Sequence, residues 1–193
     1  LSMNDEKVPE IMRIDLGESL LFLSYQGVRN FSDFDWFQKP DPVQIKISFA
    51  LLQSLEALDQ KNALTSLGKK IICWPLPPEL ARLMIHFDEM GLTSWGAATV
   101  ALLQEPDFLK IKADEYPEAL QLNCDLCFRI LFLEKGLDHP PADREILRSR
   151  SQRVSEALRS LERLGQPSKK TQAFDPGVFK RELLKVFKHR LCR

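Results

Sequence analysis

The stretch "LEALDQKNALTSLGKKIICWPLPPELARLM", residues 55–84, decides how the chain is read. A leucine-rich helical pattern stops at the polar cluster Asp59–Asn62, where Asp, Gln, Lys and Asn favour a tight turn. "ALT", residues 63–65, is long enough for one short strand, and Thr65 or Ser66 can cap a helix "LGKKIIC" that Pro75 ends. A further helix starts near Pro77 and Pro78 and runs through "ELARLMIHFDEM" to Gly91.

Working outward, the helical period dominates. "IDLGESLLFLSYQG" offers Asp15 as an N-cap, apolar positions at Leu16, Leu20 and Leu23, and Gly27 as a stop. "FSDFDWFQKPDP" reads as a loop whose rings Phe31, Phe34, Trp36 and Phe37 anchor it to the core, with Pro42 opening the next helix, "PVQIKISFALLQSLEAL". Ile45, Phe49, Leu52 and Leu55 share one stripe of that helix. Downstream, "TSWGAATVALLQEPD", "YPEALQLNCDLCFRILFLEKG" with Pro117 at its start, and "DREILRSRSQRVSEALRSLERLG" read as three helices. "QPSKKTQAFDPG" is the best linker, and "PGVFKRELLKVFKHRLCR" is the final helix. The expectation is a mainly α chain: a small winged-helix unit with at most a short β-wing, then a helical bundle. Two ordinary helical hairpins with an irregular connector fit the periodicity of residues 55–84 almost as well.

With 193 residues, 44% hydrophobic and 28% charged, the chain can bury a core without metals or disulfides. No apolar run is long enough to span a membrane, and Leu1–Glu10 is too polar and acidic for a signal peptide, so a cytoplasmic location is expected. Cys124 and Cys127 form a "CDLC" pair with no second ligand pair, so buried free thiols on a helix face are expected rather than redox or metal chemistry. The motifs GxxxxGK[ST], GxGxxG, HExxH and GxSxG are absent, and the 8 glycines are not clustered. Asp33, Asp35, Asp114 and Glu115 read as solvated loop acids. No catalytic residue and no metal ligand is assigned.

Net charge is zero but uneven. Residues 144–193 hold 14 Lys/Arg against 5 Asp/Glu, residues 1–143 hold 13 against 22, and the two parts carry about +9 and −9. The asymmetry points to an anionic partner for the second part, or to the two parts packing together. In the helix from Arg144 to Leu164, Leu147, Val154, Leu158 and Leu161 form one stripe, and Arg148, Arg159 and Arg163 gather on the far side. Such a row can track a phosphate backbone. Glu145 and Glu156, three residues before Arg148 and Arg159, equally allow intrahelical pairing on a solvated face.

Residues 8–91 resemble the helicase-associated region that follows the motor domains of DEAH-box helicases, nearest to the bacterial HrpB type. The resemblance rests on Pro9, Glu10, Ile11, Arg13, Asp15 and Leu16; on Gly27 and Val28; on Ala50, Leu55, Ala57, Leu58 and Asp59; on Leu64, Thr65, Leu67 and Gly68; and on Pro75, Leu76, Pro78, Leu80, Ala81 and Met84. Leu183, Leu184, Phe187 and Arg190 are similar to the family's segment before its C-terminal domain, with Lys188 and His189 departing from the usual proline and acid. Lys69 stands where arginine is more frequent.

The resemblance implies an organisation of 1–77 as N-terminal helix, aromatic loop and winged helix, 78–165 as a ratchet-like helical bundle, and 166–193 as linker and final helix leading toward a further domain. It implies an accessory region without ATPase activity of its own, ATP and magnesium being bound in motor domains elsewhere in the parent. Its partners would be single-stranded RNA or DNA, the RecA-like motor domains and the C-terminal domain, with no membrane. Candidate nucleic-acid contacts are Arg148, Arg159, Arg163, Lys169 and Lys170; the structural motif is Leu64, Thr65, Leu67, Gly68, Pro75 and Pro78. The rival readings are a winged-helix regulator of duplex DNA and a helical protein-interaction adaptor. The first would need a basic recognition helix, and "PPELARLMIHFDEM" offers only Arg82 and His86 against three acids.

Overall fold

The structure is a computed structural model, described here for residues 16–31, 34–104, 122–135, 144–165 and 173–190. It is mainly helical, and it divides into two compact units, Leu1–Arg82 and Leu83–Arg193. Among the described residues the only strand-like pairing is a single antiparallel bridge, Leu58 to Leu64. None of the described helices is long and apolar enough to cross a membrane.

In the first unit α1 (Gly17–Tyr25) packs against α2 (Pro42–Ser54) and α3 (Ser66–Ile72). Helix α1 stops where Gly27 takes φ +91°, a conformation that costs glycine little. At its start the cap residue is Leu16, with no side-chain cap bond; Asp15 lies outside the described residues. Asp41 caps α2 by accepting from the Val43 N–H at 2.8 Å, and Pro42 takes the first helical position as its fixed φ favours. In the loop between them Phe31 is buried and meets Phe49 edge to face at 5.0 Å, while the Trp36 indole N–H donates to the Phe31 carbonyl at 3.0 Å. Phe37 departs from the sequence expectation. Its ring is fully exposed (109%) and anchors nothing in this unit.

The turn at residues 55–68 is held by three side chains. Asp59 Oδ1 accepts from the N–H groups of Lys61 and Ala63, both at 2.8 Å, and Gln53 donates to Asn62 Oδ1 at 2.9 Å. Thr65 is the third. Its N–H donates to the Ala57 carbonyl at 3.1 Å, its hydroxyl donates to the Glu56 carbonyl at 2.6 Å, and its Oγ1 caps α3 by accepting from Gly68 N–H at 2.9 Å. Leu55, Ala57 and Leu58 are buried beneath this turn.

The second unit is built around α5 (Thr93–Gln104), whose residues Trp95–Ala101 are all buried. Its small side chains let neighbours approach closely: a Cβ on Gly96 would stand 2.9 Å from Phe87 Cβ. Around it lie the part of α4 (Pro78–Glu89) from Leu83 onward, α6 (Asp125–Lys135), α7 (Arg144–Leu164) and α8 (Pro176–Val186), then a 3-10 turn at Lys188–Arg190. Phe87 stacks on Phe179 at 5.6 Å, Phe174 lies 5.2 Å from Phe179, and Trp95 meets Phe174 edge to face at 5.1 Å.

The expected long helix through "QLNCDLC" is interrupted. Asn123 takes φ +45° and α6 starts only at Asp125, so Cys124 precedes the helix instead of sharing its face with Cys127. Cys127 is buried, Cys124 half-buried and Cys73 exposed, all as free thiols; Pro117 and Cys192 lie outside the described residues.

Candidate nucleic-acid interface

Helix α7 runs along α5, and the apolar period of its sequence sets which side faces inward. Val154 is fully buried and Leu161 nearly so, with Leu158 half-buried beside them. The end of α7 is fixed at Gly165, where a Cβ would stand 2.6 Å from Thr93 Cγ2 and 2.9 Å from Asp88 Oδ1. Thr93 in turn donates to that Asp88 oxygen at 2.8 Å. A helix seated in this way cannot roll, so its outward side chains keep one direction.

That outward side carries Arg153, Glu156, Arg159, Ser160 and Arg163, all exposed. Three guanidiniums against one carboxylate leave the face positive over about 15 Å of helix axis. Arg159 and Arg163 thus stand where the sequence puts them. Arg148 belongs to the same helix, but its side chain lies outside the described residues, as do Lys169 and Lys170 entirely. Sequence reading missed Arg153, which falls outside the chosen row yet shares its exposure.

A second basic face was also missed. Arg181, Lys185 and Lys188 are exposed along α8 and its 3-10 extension, at the i, i+4, i+7 spacing that could have revealed them. Their local acid, Glu182, turns inward instead: it is 6% exposed and meets His86 Nε2 at 3.0 Å and Lys185 Nζ at 2.7 Å. The Lys185 hydrogen bond does most to hold the Glu182 carboxyl below its ordinary range; burial opposes it and His86 adds to it. Asp175 caps α8 by accepting from Gly177 N–H at 2.7 Å and Val178 N–H at 3.0 Å, and these bonds lower its pKa.

The residues of the structural motif do fold together within the first unit. Gly68 is buried, Leu64, Thr65 and Leu67 are half-buried in the turn, and Pro75 and Pro78 bracket the passage from α3 to α4, the first exposed and the second buried. Of the two basic groups of α4, His86 bonds Glu182, and Arg82 has its Nη1 buried without a hydrogen-bond partner. Among the described residues no group of three His, Cys, Asp or Glu side chains is placed to hold a metal ion.

No protein-family model matches the chain. Curated relatives do. The chain is 32% identical over 113 residues to the pre-mRNA-splicing factor ATP-dependent RNA helicase prp22 of Schizosaccharomyces pombe, a match that covers 58% of this chain and 10% of that protein. It is 39% identical over 77 residues to the ATP-dependent RNA helicase HrpA of Borreliella burgdorferi, covering 40% of the chain and 9% of the relative. Against the probable ATP-dependent RNA helicase DHR1 of Saccharomyces cerevisiae identity is 31% over 99 residues, 51% of the chain and 8% of the relative. The homologues of this chain are therefore DEAH-box RNA helicases, and it aligns with one region of them, about a tenth of each relative's length. Its fold is that of a segment of the Escherichia coli DEAH/RHA helicase HrpB: the superposition covers 95% of this chain and 19% of that one, with a TM-score of 0.61 at 21% identity.

Proposed function

We propose that the chain is the helicase-associated accessory region of a cytoplasmic DEAH-box helicase, with a winged helix in residues 1–77, a ratchet-like bundle in 78–165 and a connecting final helix in 166–193. In this reading α7 lines the passage for single-stranded nucleic acid and transmits motor-domain movement to the strand, without hydrolysing ATP itself. ATP and magnesium would bind in the motor domains of the parent protein. The observation that carries the reading is the exposed Arg153, Arg159 and Arg163 face of a helix whose other side is locked onto α5. Guanidiniums on a fixed helix face can bind phosphates without reading bases, as strand translocation requires.

Packing against motor domains draws support from the apolar surface of the first unit, where Phe22, Tyr25, Phe37, Val43 and Ile47 are all more than half exposed. The duplex-DNA regulator is disfavoured because α4 carries only two basic side chains, of which His86 is held by Glu182 and Arg82 has its Nη1 buried.

The test changes Arg153, Arg159 and Arg163 to Glu in the full-length parent and titrates single-strand affinity against salt. Loss of three phosphate contacts should flatten the log–log slope by about 2, with base preference unchanged. An unchanged slope with helix content intact would return these arginines to a solvated, Glu-paired helix face.

A further inference from the structure

The break before α6 puts the two cysteines of "CDLC" into a relationship that a continuous helix would not give. Cys124 occupies the position just before the helix, Cys127 lies one turn into it, and the Cys127 N–H donates to Cys124 Sγ at 3.4 Å. This is the geometry of an N-cap bond, made by a poor acceptor. Helices α2, α3 and α8 are capped by the oxygens of Asp41, Thr65 and Asp175 at 2.7–3.0 Å. Sulfur accepts hydrogen bonds weakly, so capping alone does not account for a cysteine here.

We propose that Cys124 and Cys127 are a redox-active dithiol that closes to an intramolecular disulfide by exchange with a small disulfide such as oxidised glutathione. The spacing permits it. Residues three apart at a helix end bring their Cβ atoms to about 5–6 Å, an adjustment of about 1–2 Å from disulfide geometry, and the Cys127 N–H already reaches Cys124 Sγ at 3.4 Å. The surroundings divide the labour. Cys124 is half-buried, stands at a helix N-terminus and can meet a reagent; Cys127 is completely buried and cannot. Burial, reinforced by the hydrogen bond to Cys124, pushes the Cys127 thiol up to about 12, so it waits in the protonated form, while the nearby Lys180 ammonium works in the opposite direction. Lys180 Nζ also donates to the Leu122 carbonyl, tying the turn before Cys124 to α8. The adjacent Asp125 carboxylate is bound by Arg129 at 2.7 Å, which limits its repulsion of a thiolate.

The chemistry balances. Cys124 thiolate attacks one sulfur of the reagent, expelling glutathione thiolate and forming a mixed disulfide. Cys127, giving up its proton, then attacks Cys124 Sγ and releases the second glutathione. The protein loses two electrons and two protons, and one disulfide becomes two thiols. Closure staples the Leu122–Asn123 turn to the first turn of α6.

The experiment uses the full chain carrying Cys192→Ser, equilibrated in mixtures of reduced and oxidised glutathione, acid-quenched, alkylated and mapped by peptide mass spectrometry. A Cys124–Cys127 cross-linked peptide should appear at monomer mass. Adding Cys127→Ser should arrest the reaction at a glutathione adduct on Cys124. Because the first readout leaves both cysteines intact, it holds even if that variant folds poorly. Both thiols persisting free under conditions that modify Cys73, or a cross-link that forms only in denaturant, would overturn the proposal.

Discussion

A β-carbon on Gly68 would collide with the carbonyl oxygen of Ala57, and would stand 2.8 Å from Leu64 Cδ1. The same Ala57 carbonyl accepts the Thr65 N–H at 3.1 Å, so it is fixed in place and cannot give way. The missing side chain at residue 68 lets α3 begin directly over the turn that Thr65 closes.

Gly68→Ala should therefore destabilise the first unit by about 1–3 kcal/mol, although alanine is the better helix former. At Gly96 the corresponding contacts are Phe87 Cβ at 2.9 Å and the flexible Met84 Sδ at 3.3 Å, so Gly96→Ala should cost less. Thermal midpoints of the two variants check the order; a larger fall for Gly96→Ala would reverse it.

Thr65→Val removes the cap on α3 and the hydroxyl bond to Glu56 while keeping the shape, at a cost of about 1–2 kcal/mol. Thr65→Ser should recover most of that. Urea unfolding of both variants separates hydrogen bonding from volume.

Acid should weaken the second unit through two carboxyls. Asp175, held below its ordinary 3.8 by the N–H groups of Val178 and Gly177, and Glu182, held below 4.5 chiefly by Lys185, each bind protons less readily folded than unfolded. Their stabilisation is complete above those ordinary values and is lost as pH falls through the lower folded values. Asp175→Asn should thus differ from the parent at pH 6 by an amount that shrinks as pH falls through the lowered folded pKa, measured as denaturation midpoints.

Phe31 and Phe37 lie in one aromatic loop and should respond oppositely. Phe31→Ala opens a hole in the core and should cost about 3 kcal/mol, whereas Phe37→Ala should stay within about 0.5 kcal/mol in the isolated chain. Comparable losses in calorimetry would show that Phe37 has a partner within the chain.

Helix limits were legible where capping chemistry is local. Asp41 with Pro42, Thr65 with Gly68, and Gly27 and Gly91 with positive φ declare themselves within four residues. Arg144–Leu164 was likewise readable, because its apolar and basic periods coincide. What periodicity could not show was the break at Asn123, where the apolar pattern runs through without a glycine or proline. Nor could it tell Phe37 from Phe31: both are aromatic loop residues, and only tertiary packing decides which one is covered. The face of α8 was hidden by Glu182, which in sequence neutralises all its neighbours and in the fold is buried, bonding His86 and pairing only Lys185 of the three cations.

The bond from His86 to Glu182 joins residues 96 positions apart, and the Phe87–Phe179 stack, with Phe174 against it, closes a similar span. During synthesis the turn around Thr65 can form as soon as its few neighbours leave the ribosome, because every partner is local. Phe87 and Trp95 must instead wait, uncovered, until the last helix has been made. The vulnerable interval in the life of this chain is thus set by the ribosome: slow decoding between residues 96 and 174 would lengthen the time in which the second unit's aromatic core is open to aggregation or to chaperones.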